Sequence, residues 1–228
     1  MEQKRFIFPD IEESTAEGII AVGGDLHPQR LIKAYRSGIF PWFSESEPII
    51  WWSPDPRFVL FPKEIKVSRS MTQVLKKGLF QITYDFDFAG VIKTCRDIRY
   101  QANQPNATWI TEEMLEAYLE LHQLGYAHSV EAWQGDRLVG GLYGVSLGQC
   151  FFGESMFAKV SNASKAAFIT LVQDLEKFNF ALIDCQIYSN HLKSLGARNI
   201  PRQKFKMVLD EASERETLMW TRHEKKDN

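Results

Sequence analysis

The period of the hydrophobic pattern changes along the chain, from helical spacing in the first half to strict alternation after residue 128. Apolar residues at helical spacing, bounded by capping and stop residues, predict helices over residues 26–37, 70–77 and 88–99 and after Thr111. Pro28 and Gly38 support the first of these helices, because they stand in its first turn and just beyond its end. Asp87 is placed to cap the third helix.

Short strands are predicted both before and after the change of hydrophobic period near residue 128. Two lie at residues 58–61 and 81–84, and alternating residues then predict an antiparallel meander at 129–133, 137–145 and 149–154. Residues 180–187 are almost all apolar, as expected for a strand that is covered on both faces. A final strand is predicted at residues 205–208.

The segment between the meander and the apolar strand predicts a crossover helix. Asn162 is placed to cap it, it runs to about Phe178, and Phe168 and Leu171 fall on one face. A helix that carries the chain between two strands of one sheet makes those strands parallel neighbours.

This order of elements predicts an α+β protein with two domains. A small N-terminal domain should cover residues 1–61, and a mixed-sheet domain should cover residues 62–228. Helices followed by a meander, a crossover helix and a buried strand resemble the acyltransferase fold of the GCN5-related N-acetyltransferases. Fold alone does not give function.

Composition narrows the class of protein. With 44% hydrophobic and 25% charged residues, the chain has an ordinary soluble composition, and no run reaches the roughly 18 apolar residues of a membrane span. Its first residues lack the apolar core of a secretory signal. The three cysteines form no CxxC pair and the five histidines no HExxH motif. We therefore expect a cytoplasmic protein without a metal or cofactor.

Net charge is −2, but one segment is strongly basic. Residues 63–77 contain a single acid, Glu64, and five cations: Lys63, Lys66, Arg69, Lys76 and Lys77. Such a run forms either a solvated helix face or a local patch for an anionic partner.

Polar residues at the ends of two predicted neighbouring strands form the candidate site. Glu154 ends one strand, and Asp184 and Gln186 should share one face of the other. Carboxylates are rarely buried without partners, so these are either structural polar groups or a site at a strand end, where ligands bind in open α/β sheets. The crossover brings all three to one cleft.

Apolar residues beneath this cleft are either core or the walls of a pocket: Phe151, Phe168, Leu171 and Ile183. A pocket with this rim suits a cationic amine that meets a hydrophobic acyl group. Asp184 could accept a proton directly or through the Gln186 amide, and Glu154 could hold a second positive charge. Residues 157–164 contain no glycine, which disfavours coenzyme A as the acyl donor because its pyrophosphate loop requires glycines there.

The chain resembles the bacterial leucyl/phenylalanyl-tRNA–protein transferases in a series of ordered motifs: GGDL at 23–26, GIFPWF at 38–43, WWSPDPR at 51–57, TWIT at 108–111, GGLYGV at 140–145, GESMF at 153–157 and LIDCQ at 182–186. The resemblance implies transfer of Leu or Phe, with Met a third candidate, from aminoacyl-tRNA to proteins with N-terminal Arg or Lys. The product carries a degradation signal. It also implies a monomer that uses no cofactor and binds no membrane.

The resemblance further implies roles for individual residues. Asp184 and Gln186 match the pair that handles the attacking amine, and Glu154 matches the acid near the acceptor's basic side chain. The aminoacyl pocket is matched by Phe151, Ile183 and Leu142, although the family commonly has Met at the last position, which leaves the Leu, Phe and Met preference open. The remaining matches are to tRNA contacts: Trp42 and Trp109 near the terminal adenosine, and Arg69, Lys76 and Lys77 on the backbone.

Two other classes of function stay open on the residues alone. A non-catalytic adaptor could hold proteins with basic N-termini through Glu154 and Asp184, and a coenzyme A-dependent N-acetyltransferase could share the fold.

Overall fold

The computed structural model describes residues 7–101 and 110–215 of the 228-residue chain. Its strands are β1 (Ile19–Val22), β2 (Phe40–Pro41), β3 (Ile50–Trp52), β4 (Arg57–Leu60), β5 (Gln81–Tyr84), β6 (Ala127–Gln134), β7 (Arg137–Leu147), β8 (Cys150–Ala158), β9 (Leu182–Asp184) and β10 (Arg198–Ile200). Its α-helices are α1 (Pro28–Arg36), α2 (Arg69–Lys76), α3 (Phe88–Gln101), α4 (Glu112–Gln123), α5 (Ala163–Lys177), α6 (Asn190–Ser194) and α7 (Arg202–Ser213).

The strands form a small and a large sheet. The small sheet has the order β1-β3-β2, and the large mixed sheet has the order β10-β4-β9-β8-β7-β6-β5. Strands β6, β7 and β8 pair antiparallel, whereas β8 and β9 pair parallel through the crossover helix α5. The predicted meander and the predicted parallel pair are both confirmed.

The proposed domain boundary near residue 61 stays a prediction. Strand β4 precedes that boundary in the chain, yet it lies between β10 and β9 in the large sheet. The small sheet and α1 therefore make up the remainder of the N-terminal part.

Helices cover both faces of the large sheet and create two cores. One core contains buried residues of α1, α3, α4 and α7, and the other contains those of α2 and α5. Successive residues of β8 point to opposite faces, so Phe152 joins the first core and Phe151 the second. Burying one such side chain contributes about 1.5–3 kcal/mol. Among the described residues, no helix has the length and apolar character of a membrane span.

Local capping signals explain several helix starts. The Thr111 hydroxyl accepts a hydrogen bond from the Met114 N–H at 3.2 Å, and Asp87 Oδ1 accepts one from the Gly90 N–H at 2.9 Å. Both predicted caps are confirmed. Asn162 does precede α5, but it has φ +69° and its side chain makes no capping hydrogen bond.

Two predicted strands differ from the structure. The strand expected over residues 180–187 is limited to Leu182–Asp184, because the backbone leaves the ladder after Asp184. The strand expected at residues 205–208 is wrong, since this segment lies inside α7. There Phe205, Leu209 and Ala212 recur at helical spacing and are buried.

Candidate active site

A cavity of about 930 Å³ opens between the small sheet and the ends of β8 and β9. Seven residues that were predicted for the site line it: Trp42, Leu142, Phe151, Glu154, Phe168, Ile183 and Gln186. Strands β7, β8 and β9, helix α5 and the segments that follow β2 and β9 therefore bring apolar and polar side chains to a single space.

The polar wall begins at a β-bulge in β8. Gly153 pairs with Gly144 and Ser155 pairs with Tyr143, so Glu154 is an extra residue with no partner across the ladder. A bulge of this kind redirects side chains and is common beside active sites. It places the Glu154 side chain among the residues of α1 and α4.

The Glu154 carboxylate accepts three hydrogen bonds. Oε1 accepts from the Tyr35 hydroxyl at 2.7 Å and from Gln186 Nε2 at 2.8 Å, and Oε2 accepts from the Tyr118 hydroxyl at 3.1 Å. The two tyrosine hydroxyls also contact each other. Glu154 itself is only 9% exposed, so these three hydrogen bonds are made in a buried environment.

Burial raises the pKa of Glu154 to about 7, and the nearby Asp184 charge adds to this rise. The hydrogen bonds from Tyr35, Tyr118 and Gln186 act in the opposite direction because they stabilise the ionised form. Burial also raises the pKa of both tyrosines well above its ordinary value, so they remain donors. Glu154 is therefore a carboxyl group that changes charge near neutral pH.

Gln186 reaches the cavity from a turn and not from a strand. Its φ is +63°, so it does not share a strand face with Asp184 as the sequence predicted. Instead the Gln186 N–H donates to Asp184 Oδ1 at 2.9 Å. The Gln186 amide nitrogen donates to Glu154 Oε1, and the amide oxygen has no hydrogen bond to the described residues.

Asp184 lies behind Gln186 and is not part of the cavity lining. Its side chain is 0% exposed and forms a bidentate ion pair with Arg57, at 2.9 Å from Nε to Oδ1 and 2.6 Å from Nη2 to Oδ2. The structure thus brings Glu154 and Gln186 to the cavity and connects Asp184 to it through Gln186.

The apolar wall is formed by side chains from β7, β8, β9 and α5. Leu142, Phe151, Phe168 and Ile183 line it together with Met156. Leu171, also predicted for this wall, is fully buried in the core around α5 and is not among the lining residues.

Gly144 explains the position of the Phe151 ring. A Cβ atom at Gly144 would lie 2.5 Å from that ring and 2.2 Å from the Phe152 carbonyl oxygen. Contacts this short do not occur in folded proteins, so only glycine allows the ring to cross β7 here.

The predicted nucleic-acid contacts lie in different places. Trp42 is 39% exposed at the cavity, with its ring 5.7 Å from that of Trp52, whereas Trp109 lies outside the described residues. The cations of the basic segment are exposed on or beside α2 and do not line the cavity: Arg69, Lys76 and Lys77.

Three residues of the site were not predicted from the sequence. Tyr35 and Tyr118 lie on helices where an aromatic residue at a buried position indicates core packing, and Arg57 begins an apolar strand. The one available signal was Arg57, because a charge next to the apolar run of β4 requires a partner if it is buried.

The chemistry open to the site depends in part on side chains that could bind a metal ion and on the thiol beside the cavity. Residues 7–101 and 110–215 contain no group of three or more side chains suited to hold a metal ion. Cys185 borders the cavity, but burial raises the pKa of its thiol well above the ordinary value, so little thiolate forms.

Comparison with known proteins identifies close relatives of this chain. Residues 59–210 match the family described as leucyl/phenylalanyl-tRNA protein transferase, and residues 24–55 match the N-terminal domain of the same family. A leucyl/phenylalanyl-tRNA–protein transferase of Syntrophus aciditrophicus is 56% identical over 96% of this chain and 92% of its own length. One of Pseudomonas syringae pv. tomato is 57% identical over 87% and 86%.

A solved structure shows a weaker likeness. The structure of L-PGS from Bacillus licheniformis aligns with a TM-score of 0.44 and 8% identity, over 78% of this chain and 67% of that one. A likeness at this level supports no conclusion about fold class or activity.

Proposed function

The chain belongs to the leucyl/phenylalanyl-tRNA–protein transferase family, and we propose that the cavity beside Glu154 and Gln186 is where it transfers the amino acid. The protein is an aminoacyltransferase that moves Leu or Phe from aminoacyl-tRNA to a protein. The proposal assigns the donor, the acceptor and the reacting groups to particular walls of the cavity.

The aminoacyl side chain would occupy the apolar wall. Leu142, Phe151, Phe168 and Ile183 offer hydrocarbon on several sides, which suits Leu and Phe and offers no partner for a polar side chain. The terminal adenosine would stack on Trp42, where a base–aromatic contact contributes about 1–3 kcal/mol.

The tRNA would be held mainly through its phosphates. Arg69, Lys76 and Lys77 are exposed cations that can neutralise phosphates without reading bases. Trp109 is proposed as a second contact to the adenosine on the resemblance alone.

The acceptor would be a protein with N-terminal Arg or Lys, bound with its side chain toward Glu154. A cation beside this carboxylate favours its ionised form, so acceptor binding and ionisation of Glu154 support each other. The single observation that carries the proposal is the 2.8 Å contact between Gln186 Nε2 and Glu154 Oε1 in a cavity with one apolar wall.

The reaction would be direct aminolysis of the ester. The acceptor's α-amino nitrogen attacks the ester carbonyl carbon, an amide bond forms, and the tRNA ribose oxygen leaves with a proton. A peptide α-amino group has a pKa of about 7.7–8.0, so a useful fraction is neutral near pH 7. The Gln186 amide oxygen would accept a hydrogen bond from that amine and would thereby orient it for attack.

The proposal also covers the fold class, the oligomeric state and the location of the protein. The meander β6–β8, the crossover α5 and the parallel strand β9 support a GCN5-related N-acetyltransferase-like class for residues 62–228, with a small domain at 1–61. A monomer is proposed on the resemblance alone. Use of aminoacyl-tRNA supports a cytoplasmic location.

Transfer of labelled Phe tests the proposal. Labelled Phe-tRNA is incubated with a peptide that begins with Arg, with the same peptide after N-terminal acetylation, and with one that begins with Glu. We expect label in the first peptide alone. Equal labelling of the Glu peptide would exclude Glu154 as the contact for a basic side chain, and absence of label at any enzyme concentration would exclude the acceptor assignment.

A further inference from the structure

Arg57 and Asp184 form a fully buried ion pair next to the site. Both Arg57 and Asp184 have side chains with 0% exposure, and two hydrogen bonds join them. Removing two charges from water is unfavourable, and buried ion pairs often add little stability compared with apolar residues of the same size. Stability alone therefore does not explain why the protein buries this ion pair.

Two aromatic rings pack against the Arg57 guanidinium. Its central carbon lies 4.7 Å from the ring centroid of Phe40 on β2 and 4.6 Å from that of Phe205 on α7. These distances are in the range of cation–π attraction. Nη1 has no hydrogen-bond partner among the described residues, so the rings and Asp184 define the position of this group.

Asp184 connects Arg57 to Gln186 through hydrogen bonds. Its Oδ1 accepts from both Arg57 Nε and the Gln186 N–H, each at 2.9 Å. Gln186 has φ +63°, a conformation that residues with a side chain seldom adopt without support. The same residue donates from Nε2 to Glu154 in the cavity. A continuous chain of contacts thus runs from Arg57 to the cavity wall.

We propose that Arg57 is a positioning residue for the transfer: it fixes Asp184 as the acceptor of the Gln186 N–H and thereby sets the Gln186 amide against the substrate amine. Asp184 then acts through its place in this chain of contacts and exchanges no proton with the substrate. The proposal rests on the proposed function and adds a residue that does not touch the cavity.

Arg57→Lys tests the proposal, because lysine keeps the charge and cannot reproduce the two parallel bonds. The turnover number kcat and the KM for Phe-tRNA are measured with saturating Arg peptide between pH 6 and 9. We expect kcat to fall about 100-fold, as for a misplacement of about 1 Å, by the same factor at every pH and with KM unchanged within twofold. A displaced acid limb of the kcat profile, while the pH dependence of peptide affinity that reports Glu154 is unchanged, would mean that Asp184 exchanges protons and would overturn the proposal.

The matched control is Arg202→Lys. Arg202 is also buried, and it binds Ser14, the Ser53 carbonyl and Glu12 outside the cavity. We expect this variant to lower the melting temperature and to leave kcat within twofold of the unsubstituted protein. An equal loss of kcat in both variants at a matched loss of stability would reduce Arg57 to a structural role.

A double-substitution cycle with Gln186→Ala tests the route of the effect. If Arg57 acts through Gln186, adding Arg57→Lys to Gln186→Ala should lower single-turnover rates by less than twofold. A further 100-fold loss would overturn the proposal. Asp184→Glu, which keeps both charges and moves the carboxylate by one methylene, replaces Arg57→Lys if that variant does not fold, and the same loss is expected.

Hydrogen exchange separates this proposal from the function itself. The protection of the Gln186 N–H, measured by NMR without substrates, should fall at least tenfold in Arg57→Lys and stay constant in Arg202→Lys. Unchanged protection would overturn the positioning role whatever the transfer assay shows. Failure of the unsubstituted protein to label the Arg peptide, with protection lost as expected, would count against the acceptor assignment alone.

Discussion

Replacing Glu154 by Gln should weaken acceptor binding by a factor that can be worked out from its contacts. The substitution removes the charge and turns one oxygen into a donor that faces donors from Tyr35, Tyr118 and Gln186. A hydrogen bond to a charged group contributes about 1.5–3 kcal/mol. At about 1.4 kcal/mol per tenfold change, the Kd for a peptide that begins with Arg should rise about 10- to 100-fold.

The same group should make binding and stability depend on pH in opposite directions. Burial raises the pKa of Glu154 from 4.5 to about 7, so the folded protein binds this proton more tightly than the unfolded chain. The contribution of Glu154 to the free energy of unfolding is therefore fully present below pH 4.5 and is lost as the pH rises through about 7. At 1.36 kcal/mol per pKa unit, the loss is about 3 kcal/mol. Affinity for the cationic peptide, in contrast, should rise over the upper part of this range.

Fluorescence anisotropy with a labelled Arg peptide measures the Kd between pH 5.5 and 8.5, and chemical denaturation measures stability over the same range. Glu131→Gln is the matched control, because Glu131 is a buried carboxyl on β6 whose pKa is also raised by burial, and it does not line the cavity. It should change stability and leave the Kd unchanged. A Kd within twofold of the unsubstituted protein in Glu154→Gln would refute the acceptor role of this carboxylate.

Three further outcomes are expected. Tyr35→Phe removes a donor that lowers the pKa of Glu154, so the pH at which peptide affinity rises should move upward in the anisotropy titration; a downward move would contradict the assignment. Gly144→Ala should lower the free energy of unfolding by about 1–3 kcal/mol, because its Cβ would lie 2.2 Å from a carbonyl oxygen of β8; denaturation within 0.5 kcal/mol of the parent, a roughly neutral result, would show that the strand adapts. The double substitution Lys76→Ala and Lys77→Ala should reduce the slope of log K for tRNA binding against log salt concentration by about 2. An unchanged slope would show that these lysines are solvated and do not contact tRNA.

The large-scale arrangement could be predicted because it follows from local patterns. Alternation along residues 129–154 indicated the meander, and the helix after Asn162 required a parallel return strand. The prediction of a strand at 205–208 is wrong because this mostly apolar segment is too short to distinguish a strand from a helix. The spacing of Phe205, Leu209 and Ala212 carries the helical signal, and it appears only over a longer window.

The site could be predicted only as far as neighbouring strands determine it. The crossover brought Glu154 and Gln186 together, as expected, but neither the bulge at Glu154 nor the turn at Gln186 has a sequence signal as clear as alternation. Tyr35 and Arg57 are far from their partners in the chain, at separations of 119 and 127 residues. Contacts at such separations depend on the packing of whole elements, which hydrophobic periodicity does not report.

The position of β4 has a consequence for how the protein is made. This strand is synthesised early, yet it lies between β9 and β10, which come from the end of the described chain. Closing the 127-residue loop between Arg57 and Asp184 costs on the order of 4 kcal/mol in chain entropy. The strand pairing and the ion pair that offset this cost cannot form until β9 has left the ribosome. A nascent chain therefore holds β4 with both edges unpaired, and the cavity cannot form before β9 and β10 have been synthesised.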